Sequence, residues 1–473
     1  MRSYDKIYID GQWTLPTVND KWTLINPATE EPFATVALGG VEDVERAVTA
    51  ARAAFATFSA TSKEERIALL ERIIEKFGER ENELAAAVTE ELGTPVSQKI
   101  HATAALASFK QALATLREYS FENLLDGNVV RREPIGVCAL ITAWNWPIQL
   151  ITTKLAYALA AGCTTILKPS EFTPVSAILL TEILHAAGVP KGVFNLVNGN
   201  GPVVGNALSK HMDIDLVSFT GSTRAGVLVA EAAAPSIKRV CQELGGKSAN
   251  IVLDDADLHG AARWNVARAF ANSGQSCHAP TRILVLEGQM DRFLDMLCTE
   301  AAQVRVGDPL DPSMTMGPVV NKSQFERIQN YIQIGSDEGA RLVAGGLGRP
   351  EGLSQGYFVK PTIFADVKPD MRIAQDEIFG PVLAVLSYST DDEAVQIANG
   401  TMYGLGGYVF SGNKERARAI GSRIRAGRVF LNGVPSNPAA PMGGYKRSGN
   451  GREMGVFGLE EYLEVKAMIG FGD

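Results

Sequence analysis

Between residues 163 and 243 the chain alternates short apolar runs with helical ones, and this rhythm restricts the fold more than any other feature. Strand character appears at 163–168, 193–197, 216–219 and 239–243, separated by helical stretches at 174–187, 203–209 and 225–233. A helix between two such strands returns the chain to the same end of its sheet, so the segment predicts a parallel, doubly wound α/β sheet. A second alternating set follows, with strands near 249–253, 282–286, 382–388, 407–410 and 428–431 and helices near 257–271, 289–303 and 324–338. Gly245-Gly246 is the natural boundary between the two sets, and nothing repeats at a solenoid period.

Helices precede the rhythm. Residues 41–58 carry Val44, Ala47, Val48, Ala51 and Phe55 at helical spacing. Ser62-Lys-Glu-Glu65 has the form of a capping box and opens an amphipathic run over 66–92, read as one helix closed by Gly93 and Pro95. A third helix is expected over 100–119. The Asp126-Gly127 turn signal then joins extended segments at 129–132 and 136–142, which predict a hairpin arm.

The 473 residues carry a net charge of −8 with basic residues dispersed among acids, which argues against nucleic acid as a partner. Residues 1–10 lack the apolar stretch of a secretory signal. The longest uncharged span, 136–153, is interrupted by Asn145, Pro147 and Gln149 and followed by Lys154, so no membrane span is expected. Five cysteines, an odd number with no C-x-x-C pair, and only five histidines give no zinc spacing; no metal site and a reduced, cytoplasmic setting are expected.

Four stretches carry candidate chemistry. Thr220-Gly221-Ser222 stands where a strand passes into a helix, so its backbone N–H groups can face a phosphate, although many such turns are purely structural. Lys168-Pro-Ser-Glu171 follows another buried strand and offers a cation and an acid for ribose hydroxyls; the bland alternative is a solvated loop with a capping glutamate. Glu243-Leu-Gly-Gly-Lys-Ser248 is no P-loop, because its first glycine would fall on Cys241, but it leaves Glu243 as a candidate general base. Trp144-Asn-Trp-Pro147 fixes Asn145 ahead of a helix, either as a cap or as an amide donor to an oxyanion. Free cysteine is most often a small buried hydrophobe. Cys277, however, sits in Phe270-Ala-Asn-Ser-Gly-Gln-Ser-Cys-His-Ala-Pro280, among poor core formers, with Gly274 signalling a turn.

Together with Glu377-Ile-Phe-Gly-Pro381 and Pro441-Met-Gly-Gly-Tyr-Lys446, these motifs run through essentially the whole chain in an order and spacing similar to the NAD(P)-dependent aldehyde dehydrogenase superfamily. The resemblance implies an aldehyde dehydrogenase-like α/β fold in three parts. These are a Rossmann-like cofactor domain (1–119 and 143–245), an α/β catalytic domain (246–447) and a small β oligomerisation arm (120–142 and 455–473). It implies Cys277 as nucleophile, Glu243 as base, Asn145 as oxyanion donor, and Lys154 and Glu453 as a proton path. The cofactor contacts it implies are Ile141, Thr142, Trp144, Lys168, Ser170, Glu171, Gly201, Phe219, Gly221, Ser222, Leu244, Gly245, Glu377 and Phe379. NAD is the expected cofactor, with NADP possible: Glu171 would repel a 2′-phosphate and Lys168 would partly offset that. Trp146, where many relatives carry phenylalanine, and His278, directly after the nucleophile, depart from the pattern.

Two rivals stand beside this reading. A cysteine acyl-hydrolase would pair Cys277 with a histidine, yet side chains of neighbours such as His278 diverge on an extended segment. A non-catalytic dinucleotide-binding protein would be expected to lose the nucleophile or base, and both are present. For the substrate pocket, Trp146, Gln149, Leu150 and Thr153 share one face of the helix begun by Pro147, and Ala271, Ser276, His278 and Met442 are expected to close it. Small Thr153 and Ala271 leave width, which favours a bulky, aromatic or polar-ended semialdehyde. A homodimer or homotetramer, with a free carboxylic acid as product, completes the expectation.

Overall fold

The computed structural model describes residues 1–471; residues 472–473, the end of the expected arm, lie outside the described residues. An eight-stranded sheet runs in the order Gly449–Asn450, Arg239–Glu243, Leu216–Thr220, Val137–Ile141, Thr164–Lys168, Phe194–Leu196, Ile7–Ile9 and Gln12–Thr14. Its five central strands are parallel, with Leu140 opposite Leu167 and Val217 opposite Ala139. From Val137–Ile141 the chain winds outward through Thr164–Lys168 to Phe194–Leu196, then returns to the other side for Leu216–Thr220 and Arg239–Glu243. The reversal opens a crevice at the carboxyl ends of Val137–Ile141 and Leu216–Thr220, the place where doubly wound sheets bind ligands.

A seven-stranded sheet forms from the second rhythm, in the order Arg341–Ala344, Thr362–Ala365, Val382–Tyr388, Arg282–Leu286, Ala249–Val252, Gly406–Phe410 and Arg428–Leu431. It is parallel except for its first strand. The continuous apolar runs of these strands follow from burial on both faces under flanking helices. A third, small sheet joins Glu122–Leu125, Asn128–Pro134 and Leu463–Met468, all antiparallel. Its hairpin turns through Asp126 and Gly127, both at positive φ (+47° and +75°), as a two-residue hairpin demands.

Two expectations need correction. The segment 136–142 does not belong to the hairpin: Val137–Ile141 is buried along its whole length and pairs on both sides within the large sheet. Its unbroken apolar character is that of a central parallel strand, whereas an arm strand alternates. The run 66–92 is two helices, Lys63–Glu79 and Glu81–Leu92, hinged at Arg80 with φ −118° and ψ 14°. Arg80 pairs there with Glu83 and with Glu182, and the hinge lets Leu69, Leu70, Ile73 and Phe77 bury in the same core as Leu84, Val88 and Leu92. The Ser62 capping box is present, Ser62 N–H donating to Glu65 at 2.7 Å. Among the described residues no helix is long and apolar enough to cross a membrane.

Candidate active site

Cys277 owes its place to a loop with an unusual backbone. After the helix Leu258–Ala269, Asn272, Ser273 and Gly274 take successive φ values of +52°, +56° and +73°. Left-handed backbone costs a non-glycine residue about 1–2 kcal/mol, so such a run persists only where its surroundings hold it. Asn272 Nδ2 donates to Asn145 O at 2.7 Å, Ser273 Oγ to Gly317 O at 2.8 Å, and Gln275 Nε2 to Asn272 O at 3.1 Å. Gly274 is compulsory, since a Cβ there would lie 2.3 Å from the carbonyl carbon of Gly380. The chain then turns at Cys277.

Glu243 ends its parallel strand, and Gly245-Gly246 lets the backbone slip between the cysteine loop and Glu377. A Cβ on Gly246 would meet Cys277 O at 2.3 Å, and one on Gly245 would meet Glu377 at 2.3 Å. The Cys277 thiol accordingly lies 3.4 Å from Glu243 Oε1. Burial, then the carboxylates of Glu243 and Glu377, push that thiol well above the usual cysteine range. Burial pushes Glu243 up to about 8, with Glu453 adding to the shift and Lys154 opposing it. Glu243 Oε2 is buried without a hydrogen-bond partner, as a base awaiting a reactant would be. Lys154, fully enclosed in the helix Pro147–Ala161, pairs with Glu453.

Asn145 is not a helix cap: Trp146 occupies that position, and Asn145 Nδ2 instead donates to Gln275 O at 3.1 Å, two residues before Cys277. The other amide hydrogen is left for a ligand.

Cys277, Glu243 and Asn145 open into one cavity of about 580 Å³. Part of its wall is Trp144, Phe219, Gly221, Ser222, Leu244, Gly245, Glu377 and Phe379, together with the unpartnered buried hydroxyl of Thr220. Ser222 caps the helix Thr223–Ala233, so this wall includes a helix N-terminus. The Trp144 and Phe379 rings meet edge to face at 5.3 Å, and Glu377 accepts from Gly246 N–H at 2.9 Å. A glycine turn, a helix N-terminus, an unsatisfied hydroxyl and a carboxylate suit the phosphates and hydroxyls of a dinucleotide. Ile141, Thr142, Lys168, Ser170, Glu171 and Gly201 lie outside this lining. Ile141 and Lys168 end the adjacent parallel strands, and Lys168 donates to Pro169 O at 2.9 Å and to Glu171 at 3.5 Å.

The remaining wall contains Trp146, Gln149, Leu150, Thr153, His278, Met442 and Glu453. Ala271 and Ser276 do not line it, contrary to expectation. Ser276 Oγ is turned to accept the Trp146 indole N–H at 2.9 Å, and Ala271 begins the strained turn. Trp146 is clamped from the other side by His101, stacked at 4.3 Å. Sequence reading missed Arg268, Arg428 and the positioning residue Asn272. The first two are charged residues on periodic segments and look solvent-facing until long-range packing turns them inward. The premise that His278 diverges from Cys277 also fails, because the two share a turn: Nδ1 lies 3.9 Å from Sγ. Burial and the cations Arg268 and Arg428 push the His278 pKa down to about 3, which makes it a weak base.

A profile of the Aldehyde dehydrogenase family matches residues 13–468. The chain belongs to that family. It is 52% identical over 474 residues to 3-succinoylsemialdehyde-pyridine dehydrogenase of a Pseudomonas species, covering 100% of this chain and 99% of the relative. Among solved structures, a cysteine-to-alanine mutant of aldehyde dehydrogenase C from Pseudomonas syringae, complexed with NAD+ and octanal, superposes with a TM-score of 0.98 at 52% identity, covering 99% and 97% of the two chains. A Mycobacterium tuberculosis aldehyde dehydrogenase complexed with NAD+ gives a TM-score of 0.97 at 39% identity, with coverage of 99% and 98%. In this aldehyde dehydrogenase, then, the thiol, the carboxyl and the amide gathered by three distant motifs share one cavity with a dinucleotide-type crevice.

Proposed function

We propose that the enzyme oxidises an aldehyde to its carboxylic acid with NAD, through a thioester on Cys277. The Cys277–Glu243 contact inside a cavity shared with the Gly221–Ser222 turn carries this reading. Cys277 adds to the carbonyl carbon, giving a tetrahedral thiohemiacetal from which hydride departs readily. The free amide hydrogen of Asn145 and the Cys277 N–H hold the developing oxyanion. Bound at the wall formed by Phe219, Gly221, Ser222, Glu377 and Phe379, with Lys168 and Glu171 on the adenosine ribose, NAD supplies the hydride acceptor. Glu243, once deprotonated, takes a proton from the water that attacks the thioester and passes it toward the Lys154–Glu453 pair. Glu171 favours NAD over NADP by repelling a 2′-phosphate.

The substrate reading is a bulky aldehyde, aromatic or a medium-chain semialdehyde with a polar end. Small Thr153 and flat Trp146 support an apolar body, and Gln149 supports a polar terminus. The names of the relatives, one a semialdehyde dehydrogenase and one crystallised with octanal, support a substrate longer than acetaldehyde, although octanal has no polar end. A cytoplasmic homo-oligomer built on the arm fits the same reading. The test is NADH formation on aldehydes from acetaldehyde to benzaldehydes and semialdehydes of six or more carbons, in wild type and Cys277→Ala. Long or aromatic substrates are expected to give the higher kcat/KM, and Cys277→Ala is expected to bind NAD but turn nothing over. A clear preference for acetaldehyde overturns the substrate class, and substantial turnover by Cys277→Ala overturns the mechanism.

A further inference from the structure

Three side chains form a chain of contacts that the reaction above does not require. Arg268 Nη2 lies 3.3 Å from His278 Nε2, and His278 Nδ1 lies 3.9 Å from Cys277 Sγ. Tyr408, buried and stacked on Phe430, donates to His278 O at 2.7 Å and so fixes the backbone from which the imidazole hangs. Burial and the cations Arg268 and Arg428 favour the neutral ring. A neutral imidazole has one donor nitrogen and one acceptor nitrogen, whereas a guanidinium can only donate. The contact with Arg268 therefore makes Nε2 the acceptor, and the single ring proton resides on Nδ1, facing the sulfur.

The groups around that sulfur work against its ionisation. Glu243 faces it from the end of one sheet, Glu377 from the segment before Phe379, and Glu453 from the segment paired with Lys154. Arg428, on the edge strand of the other sheet, favours the anion, but its guanidinium is already committed to Ala440 O, Pro441 O and Ser436 Oγ. The direct contacts at the sulfur are thus the Glu243 carboxyl and the His278 imidazole.

We propose that His278 is a catalytic hydrogen-bond donor whose Nδ1–H stabilises the Cys277 thiolate, and that Arg268 is a positioning residue that holds His278 in that tautomer. No proton is transferred along this path: the thiol proton leaves to Glu243 or water, and the imidazole keeps its own. The donor offsets part of the penalty that burial and any ionised carboxyl nearby impose on the anion, and hydrogen bonds to charged groups are the stronger kind. The inference rests on Cys277 being the nucleophile, but its test does not require turnover.

The test is the rate at which iodoacetamide alkylates Cys277 as a function of pH, read on the Cys277 peptide by mass spectrometry in the full-length enzyme. Relative to wild type, His278→Ala is expected to move the midpoint upward by at least one pH unit, a loss of about tenfold in rate below it. Arg268→Met is expected to move it part of the way and Arg268→Lys, which keeps a donor and a charge, to restore it. In the His278→Ala background, Arg268→Met is expected to add nothing, because its effect runs through the ring. An equal shift from Arg268→Met in both backgrounds would mean a plain charge effect and overturn the positioning role. An unchanged midpoint in His278→Ala overturns the donor role. Should a variant fold poorly, imidazole 15N chemical shifts of histidine-labelled wild-type enzyme decide the tautomer, and a protonated Nε2 on His278 refutes the proposal. Absence of NADH formation by wild type together with the expected alkylation shifts would count against the dehydrogenase reading and for the donor.

Discussion

Glu243 is buried against its own charge, and that sets a pH dependence for both rate and stability. With its pKa pushed up to about 8, the base form accumulates as pH rises. Turnover limited by thioester hydrolysis is therefore expected to climb up to about pH 8 and then flatten. Glu243→Gln is expected to leave a stoichiometric NADH burst followed by steady turnover at least about 100-fold slower, the usual scale of general-base catalysis, and to lose the climb. Stability moves the opposite way. The folded protein holds this proton more tightly than the unfolded chain, so the stabilisation is complete below the ordinary glutamate pKa and is lost as pH rises through about 8. Glutamine is neutral throughout. The Tm of Glu243→Gln minus that of wild type, measured without cofactor, is thus expected to grow steadily from about pH 5 to about pH 8; a gap that shrinks would show that Glu243 is not buried as a neutral acid.

At the scale of elements, the loop from Ala271 to Gly274 converts strain into position. Asn272→Ala removes the residue type that tolerates φ +52° and the donor that holds Asn145 O at 2.7 Å. The expected result is a loss of about 1–3 kcal/mol of stability and a fall in kcat that exceeds any change in NAD affinity, checked by urea unfolding and by NADH fluorescence titration. This loop also marks where sequence reading stops. Cys277, Glu243 and Asn145 were legible because each stands in a run whose glycines or proline advertise a special backbone, and the strand–helix rhythm placed both large sheets. Asn272 was not, because its left-handed backbone depends on partners as distant in sequence as Asn145. The same limit hid Arg268 and Arg428, whose inward aim comes from packing between elements, and it let 136–142 pass for an arm strand. Apolar periodicity carried through Arg80 for a like reason: the pattern records which face is buried and not whether the axis bends.

For the whole molecule, the two large sheets meet around the cavity, whereas the third sheet stands apart from the chemistry. It leaves Leu124 and Leu125 on one edge strand exposed by 75% and 60%, and Val465 on the opposite edge strand by 56%. An edge of this kind invites another copy of itself, since unpaired backbone and apolar side chains on a short β-sheet are the features that proteins otherwise cover or charge. If the arm makes the homo-oligomer, Leu125→Glu combined with Val465→Glu sets acidic groups on the face that must be buried, and desolvating them without partners is costly. The double variant is expected to elute as a smaller species with the mass of a lower oligomer by light scattering, and to do so more completely at low salt, where like charges repel over a longer range. Cys277 alkylation should be unaltered in it, because the arm touches none of the residues at the sulfur. A mass equal to that of wild type at every salt concentration would remove the arm from the assembly.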